Sequence, residues 1–179
     1  MKATTEMKYL WIVTLVAVVA VSPVNANKQG KHLFILSGQS NMANLNPSIS
    51  STPTVEAAFG KENVIVVKDA LGGQPIARWY KAWKPATGNP PKGSGNLYDR
   101  LMTKVNAAIK GQELASVTFV WMQGERDAKT GQAAVYEASL KGLIEQLRTD
   151  MKRQNINFVI GRLSDYQMDD PDWVKVRQA

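Results

Sequence analysis

The sequence predicts a three-layer α/β fold, with a mainly parallel sheet between two layers of helices. Three observations lead to this prediction. Short apolar runs recur along the chain, stretches of helical periodicity separate them, and polar side chains gather where three of the runs end. Strands that alternate with helices are typical of parallel sheets joined by right-handed crossovers, and ligands bind such sheets at the carboxyl ends of the strands.

Four runs are predicted to be buried strands because they are short, rich in β-branched or aromatic residues, and lack strict alternation of apolar and polar residues. They span residues 32–37, 64–68, 116–122 and 157–160. Polar clusters follow three of them, at residues 37–41, 123–127 and 162–165. These clusters are therefore the first places to look for a functional site.

Two helices are predicted between the strands from apolar residues at helical spacing. The first carries Leu97, Leu101, Val105 and Ala108; the second carries Val135, Leu140, Leu143, Ile144 and Leu147. Thr130 is the candidate amino-terminal cap of the second helix. Residues 172–179 read as the opening of a further amphipathic helix, without a cap or a glycine stop at its end.

The first 26 residues are predicted to be a secretory signal. Lys2 and Lys8 precede an apolar run over residues 9–21, and small residues at Val24 and Ala26 suit cleavage after Ala26. An uncleaved membrane anchor is the alternative, but a span needs about 20 apolar residues. We therefore expect an exported domain over residues 27–179, located in the periplasm or outside the cell and not bound to the membrane.

Composition narrows the classes of function. The chain has no cysteine, which excludes disulfides, a cysteine nucleophile and a thiolate zinc site. Its formal charge is +7, yet the basic residues are scattered and form no run longer than Lys152-Arg153. A solvated surface is therefore a better interpretation than a nucleic-acid interface.

The residues just after the first predicted strand have either a structural role or a catalytic one. Ser40 stands between Gln39 and Asn41, just after Gly38, where a serine can simply cap a helix. The alternative is a nucleophile on a strand-to-helix turn, with its own backbone N–H facing an oxyanion. The amides on either side would then anchor the turn by hydrogen bonds. Local sequence alone leaves both open.

Three motifs follow three strands in order. Gly-Gln-Ser-Asn-Met occupies residues 38–42 (the first motif), Gly-Gly-x-x-Ile-x-x-Trp residues 72–79 (the second), and Trp-x-Gln-Gly-Glu-x-Asp residues 121–127 (the third). Together they resemble the SGNH/GDSL hydrolase superfamily, and within it the carbohydrate esterases of the sialate O-acetylesterase and acetylxylan-esterase type. The resemblance extends over essentially all of residues 27–179.

The resemblance implies a flavodoxin-like α/β/α fold that hydrolyses O-acetyl esters on carbohydrates through an acyl-enzyme, without a metal or another cofactor. Ser40 then takes the nucleophile position. The implied oxyanion hole consists of the backbone N–H groups of Ser40 and of Gly72 or Gly73, together with the side-chain amide of Gln123. A different register would put Arg126 at the position where other superfamily members have asparagine.

The resemblance also implies supporting roles. Glu125 and Asp127 would brace the site, as Gln39 and Asn41 would from the first motif. Beside the second motif, Arg78 and Trp79 either contact a sugar or simply pack: both remain open. The implied partner is an acetylated carbohydrate; the sequence does not identify the sugar or the oligomeric state.

The sequence departs from the family in its general base, which these enzymes take from a late Asp-x-x-His motif. No such motif is present, and the sole histidine, His32, stands eight residues before Ser40 on the same strand. At about 3.3 Å per residue the two lie roughly 25 Å apart, whereas a base needs to be within about 3 Å. His32 therefore does not activate Ser40.

We interpret the chain as a member of this group that is incomplete at its carboxyl terminus and lacks the last βα unit. The chain alone is then expected to be inactive or far slower than an intact enzyme, since the base is missing. Two alternatives stand beside the esterase: a non-catalytic saccharide-binding remnant, and a different ester hydrolase on the same fold.

Overall fold

The computed structural model describes residues 30–89 and 94–179. The predicted signal, residues 1–26, lies outside the described residues. Within the described part, no helix is both long enough and apolar enough to cross a membrane.

The four predicted strands are all present, each longer than predicted by one or two residues at one or both ends. They are β1 (Lys31–Gly38), β2 (Val64–Ala70), β3 (Leu114–Met122) and β4 (Ile156–Ile160). Every pair is parallel, and the strand order is β2-β1-β3-β4. The prediction of a parallel α/β sheet is confirmed. The carboxyl ends of β1, β2 and β3 meet at one edge, where Gly38 pairs with both Ala70 and Met122.

Six helices connect and flank the strands in the described residues: α1 (Ser40–Asn44), α2 (Ser51–Phe59), α3 (Asn96–Ala108), α4 (Glu125–Lys129), α5 (Ala133–Asp150) and α6 (Pro171–Gln178). The two predicted long helices correspond to α3 and α5, and the predicted carboxyl-terminal helix is α6. The prediction for Thr130 is wrong. Because α4 ends just before it, Thr130 follows that short helix, and Gln132 occupies the amino-terminal cap position of α5.

The main core lies on one face of the sheet. Alternate residues of the two central strands are buried there and form one cluster with apolar side chains of α3 and α5: Leu33, Ile35, Val117, Phe119, Trp121, Leu101, Val105, Leu143 and Leu147. Alternation places these strand residues on a single face, so the pattern fixes which face each strand presents to the helices.

The position of α3 is also set by charge. Asp69, near the end of β2, is 5% exposed and accepts hydrogen bonds from Arg100 Nε at 2.7 Å and Lys104 Nζ at 2.6 Å. Both cations come from α3, one helical turn apart. This pairing compensates the buried carboxylate and fixes α3 against β2, beside the edge where the motifs meet.

The opposite face of the sheet is covered by α1 and α2, which gives the predicted third layer. An apolar groove of about 280 Å³ remains on this face, with Leu36, Val120 and Val159 from the sheet among its lining. Val159 and Ile160 of β4 are 53% and 46% exposed. Among the described strands, β4 pairs only with β3, so its outer edge is open.

Candidate active site

The candidate site lies where the direction of the chain crossovers reverses. From β1 the chain crosses to β2 on one side, and from β2 it returns past β1 to β3 on the other. Ligands of such sheets bind at this switch point, beyond the carboxyl ends of the strands. All three motifs begin here, and the N–H of Gln39 donates to Met122 O at 2.9 Å across the two central strands.

Gly38 allows the chain to leave β1 at this point. Its φ is +140°, and a Cβ atom there would lie 2.1 Å from Met122 O. Only glycine fits so close an approach. The chain then enters α1 with Ser40 as its first residue, half-buried at the strand end.

Ser40 is free to meet a ligand. Its hydroxyl forms no hydrogen bond to any residue in the described ranges. As the first residue of a helix, it also has a backbone N–H without an acceptor inside that helix. The side chain is therefore not a helix cap, the structural role that the local sequence left open.

Two hydrogen bonds join the first motif to the third on either side of Ser40. Before it, the buried Gln39 side chain accepts through Oε1 from the backbone N–H of Arg126 at 3.2 Å. After it, Asn41 Nδ2 donates to Glu125 Oε1 at 2.7 Å. The turn that carries Ser40 is therefore held by α4 as well as by β1.

The second motif lies directly against Ser40. The N–H of Leu71 donates to Gly38 O at 3.1 Å, which brings the loop after β2 over the first motif. A Cβ atom on Gly72 would lie 3.7 Å from Ser40 Cβ. Gly73, which has φ +69°, lines the same cleft as Ser40. Both glycines proposed for the oxyanion hole thus lie beside the serine.

Asp127 lies beneath this loop and is fully buried. Its Oδ2 accepts from the backbone N–H of Ile76 at 3.0 Å and from Gln123 Nε2 at 2.5 Å, while its Oδ1 has no partner among the described residues. Burial raises the pKa of Asp127 from 3.8 to about 6, against the opposing effect of these hydrogen bonds. The carboxyl therefore ties the second motif to the third.

The side-chain amide of Gln123, which the resemblance assigns to the oxyanion hole, forms hydrogen bonds within the fold. The residue is 2% exposed, and its Nε2 lies within hydrogen-bonding distance of three acceptors: Asp127 Oδ2, Gln74 O and Gln39 Oε1. An amide nitrogen has two hydrogens, so these acceptors occupy it fully. Gln123 thus braces the three motifs from below and is not a free donor to an oxyanion in this structure.

Of the two residues predicted either to contact a sugar or to pack, Trp79 packs. It is 1% exposed, donates through Nε1 to Ser37 Oγ at 3.0 Å and packs edge-on against Trp121 at 5.2 Å. It is a core residue. Arg78 is half-buried and donates to Asn96 Oδ1 at 2.6 Å and Gln74 Oε1 at 2.7 Å, so it holds the second motif to α3.

The cleft at Ser40 has a volume of about 230 Å³. Four residues of the predicted site line it: Gln39, Ser40, Gly73 and Glu125. Three further side chains complete the lining: Arg126, Lys129 and Trp173. No site role was predicted for Lys129 or Trp173. The available signal for Lys129 was its spacing of three residues from Arg126, which lies inside the third motif.

His32 lies at the opposite edge of the sheet, at the start of β1. Its Nδ1 is 2.7 Å from Ser116 Oγ, and its ring stacks on Phe59 with centroids 4.1 Å apart. These contacts give it a structural role far from Ser40. In the described ranges, no group of three or more His, Asp or Glu side chains is arranged to hold a metal ion.

The sheet order and the cleft beside its first strand define the general class: an α/β protein whose site lies at the carboxyl ends of the strands. A family model described as "Carbohydrate esterase, sialic acid-specific acetylesterase" matches residues 44–179. The chain belongs to this family of carbohydrate esterases. The matched stretch includes the second and third motifs and begins shortly after Ser40.

Other comparisons bear on the fold. No curated protein matches the chain. Among solved structures, the chain is similar to the X-ray structure of a protein from Arabidopsis thaliana, with 18% sequence identity and a TM-score of 0.66. The similarity covers 83% of this chain and 80% of that one. At this identity the likeness supports the α/β arrangement alone.

Proposed function

We propose that the protein hydrolyses O-acetyl esters on carbohydrates, with Ser40 as the nucleophile. The observation that carries the proposal is the position of Ser40 in the cleft: its hydroxyl is unpaired within the described residues, Gly72 and Gly73 lie beside it, and hydrogen bonds to α4 flank it. Family membership supports action on an acetylated carbohydrate.

In the proposed reaction, Ser40 Oγ attacks the carbonyl carbon of the acetyl group and passes its proton to solvent water, because the sole histidine lies at the far edge of the sheet. The bond from that carbon to the sugar oxygen then breaks, and the sugar leaves with a proton as an alcohol. Water cleaves the acetyl-Ser40 ester and releases acetate. The backbone N–H groups of Ser40 and of Gly72 or Gly73 would stabilise the oxyanion in both steps.

The size of the cleft favours a short acyl group. A volume of about 230 Å³ is below the range usual for sites that enclose a drug-sized ligand, about 300–1,000 Å³. The apolar groove lies on a face of the sheet, between α2 and the strands, and its lining does not include Ser40. A hydrolase for long-chain esters is therefore the weaker alternative.

A non-catalytic saccharide-binding protein is the second candidate, and His32 favours it. The only histidine of the sequence lies at the far edge of the sheet, so it supplies no base to Ser40.

We also propose export of the protein on the strength of residues 1–26 alone.

The experiment that separates these readings looks for the acyl-enzyme. The protein is incubated with 4-nitrophenyl acetate and quenched in acid, and the acetylated peptide is identified by mass spectrometry. We expect acetyl on Ser40, because 4-nitrophenolate leaves without a proton, so that acylation depends less on a base than deacylation does and the intermediate accumulates. Ser40→Ala should carry no acetyl group, whereas Ser48→Ala, at an exposed serine on the adjoining loop, should label like the wild type.

Acetylation spread over several surface residues, or equal ester turnover by Ser40→Ala, would contradict the nucleophile assignment. A protein that binds acetylated sugar yet never acetylates Ser40 would favour the saccharide-binding alternative.

A further inference from the structure

Lys68 of β2 binds the helix that begins with Ser40. Its ammonium group donates to two backbone oxygens, Ala43 O at 2.7 Å and Leu45 O at 2.5 Å. Ala43 lies in α1, and Leu45 caps the carboxyl end of that helix. In the part of the chain that the structure describes, Lys68 forms no ion pair with an acidic side chain. The two carbonyls are therefore the partners of its charge.

This cation stands on a largely apolar face of the sheet. Lys68 pairs with Leu36 in the register of β1 and β2, and paired residues of parallel strands point to the same face. Leu36 and Val66 both line the apolar groove on that face. Lys68 is half-buried there, and burying an ammonium group is costly unless it is hydrogen-bonded. Its side chain is therefore accounted for by the carbonyls of α1 and not by packing in the groove.

Helix α1 depends on such an anchor. It has only five residues, Ser40–Asn44, and a helix of that length is marginal without outside contacts. The last carbonyls of a helix have no partner inside it, and a cation at that end interacts favourably with the helix dipole. The hydrogen bonds of Gln39 and Asn41 with the third motif hold the amino end, and Lys68 holds the carboxyl end.

The direction of α1 decides where Ser40 points. Ser40 is the first residue of this helix, so its hydroxyl and its backbone N–H both leave from the same turn. Ala43 lies three residues further on, less than one helical turn away. A tilt of so short a helix displaces the hydroxyl relative to Gly72, and a displacement of about 1 Å at a reacting group can slow a reaction about a hundredfold.

We propose that Lys68 is a positioning residue for the nucleophile. It holds the carboxyl end of α1, so that the hydroxyl and the N–H of Ser40 stay aimed at one point of the cleft. The proposal rests on the proposed function for the role of Ser40. Lys68 is not among the residues that line the cleft, so it acts through α1 and not on the substrate.

Single-turnover acetylation of Ser40 tests this role. Release of 4-nitrophenolate is followed at increasing 4-nitrophenyl acetate for the wild type and for Lys68→Met, which keeps an unbranched side chain but donates no hydrogen bond. We expect the maximal rate constant of acetylation to fall about tenfold and the half-saturating ester concentration to change less than about twofold. Loss of folded protein alone would lower the amplitude of the release and leave its rate constant unchanged.

The matched control is Lys31→Met. Lys31 also donates through its ammonium group to a backbone carbonyl, Glu62 O, but it lies at the start of β1, at the opposite edge of the sheet from Ser40. That variant should acetylate Ser40 at the wild-type rate.

A second variant separates the ammonium group from the length of the side chain. The chain has no cysteine, so Lys68→Cys carries a single thiol that can be alkylated in urea before refolding. Reaction with 2-bromoethylamine restores a side chain of lysine length that ends in an ammonium group. Reaction with 1-iodopropane gives the same length but ends in a methyl group. The first product should acetylate Ser40 near the wild-type rate, and the second should be as slow as Lys68→Met.

A wild-type rate in Lys68→Met, an equal loss in Lys31→Met, or equal rates for the two alkylated proteins would overturn the positioning role. If the wild type never acetylates Ser40, the proposed function fails, and the hold of Lys68 on α1 is measured by amide hydrogen exchange instead. Exchange in α1 should then be faster in Lys68→Met than in the wild type and unchanged in Lys31→Met. Unchanged exchange in Lys68→Met would overturn the role of Lys68 as well.

Discussion

Replacing Asp127 with asparagine should change how the stability of the protein depends on pH. Asp127 is fully buried, and burial raises its pKa from 3.8 to about 6. The folded protein therefore holds this proton more tightly than the unfolded chain does. The stabilisation from the protonated carboxyl is complete below about pH 4, and it is lost as the pH rises through 6.

The size of the effect follows from the two pKa values. At about 1.36 kcal/mol per pKa unit, the interval from 3.8 to about 6 corresponds to about 3 kcal/mol. Asparagine keeps an oxygen for the N–H groups of Ile76 and Gln123, but it places an NH₂ group where Oδ1 has no partner. At low pH the protonated carboxyl of the wild type also leaves a buried O–H donor at Oδ1, so the cost of that unpaired donor, about 1–3 kcal/mol, is common to the two proteins below about pH 4.

We therefore expect Asp127→Asn to be about as stable as the wild type at pH 4 and more stable than the wild type, by up to about 3 kcal/mol, at pH 7. The assay is urea unfolding of both proteins at pH 4, 5, 6 and 7, followed by tryptophan fluorescence. Other titrating groups cancel in the difference between the two free energies of unfolding. A difference that stays constant within about 0.5 kcal/mol from pH 4 to pH 7 would refute the raised pKa of Asp127.

Substitution by alanine should have opposite effects on stability at Gly38 and at Gly72. Gly38→Ala should destabilise the protein by about 3 kcal/mol or more in urea unfolding. The added Cβ would lie 2.1 Å from Met122 O, at a residue whose φ is +140°. A variant as stable as the wild type would contradict this account of the turn. Gly72→Ala should fold normally, because its Cβ meets Ser40 only at 3.7 Å. It should slow acetylation of Ser40 by about tenfold by narrowing the approach to the hydroxyl, and an unchanged acetylation rate would contradict the close approach of Gly72 to Ser40.

The strands were predictable because each is a short apolar run rich in β-branched or aromatic residues, which is typical of a parallel sheet. The expected burial is wrong for β4, where Val159 and Ile160 are 53% and 46% exposed because no described element covers them. Helices α3 and α5 were also predictable, because their buried residues recur at helical spacing. Helix α2 left no such signal, because none of its residues is buried. Its position depends on contacts with the first two strands that local sequence does not encode.

Part of the lining of the candidate cleft was predictable, but the burial of the other predicted site residues was not. The order of the three motifs brought Ser40, Gly73 and Glu125 to one cleft. The sequence does not show that the side chain of Trp79 points into the core or that the side chain of Gln123 lies below the cleft. Both directions depend on how the loops after the strands pack in three dimensions. Thr130 was misjudged because α4 intervenes before α5 as a separate helix.

The two hydrogen bonds that flank Ser40 have a consequence for any attempt to rebuild this site elsewhere. The partners of Asn41 and Gln39 lie 84 and 87 residues further along the chain. A transplanted five-residue loop would carry the serine without the groups that hold the loop, which are the Glu125 carboxylate and the backbone N–H of Arg126. The smallest transferable unit is therefore a pair of neighbouring strand ends, and substitutions in one should be tolerated only with matching substitutions in the other.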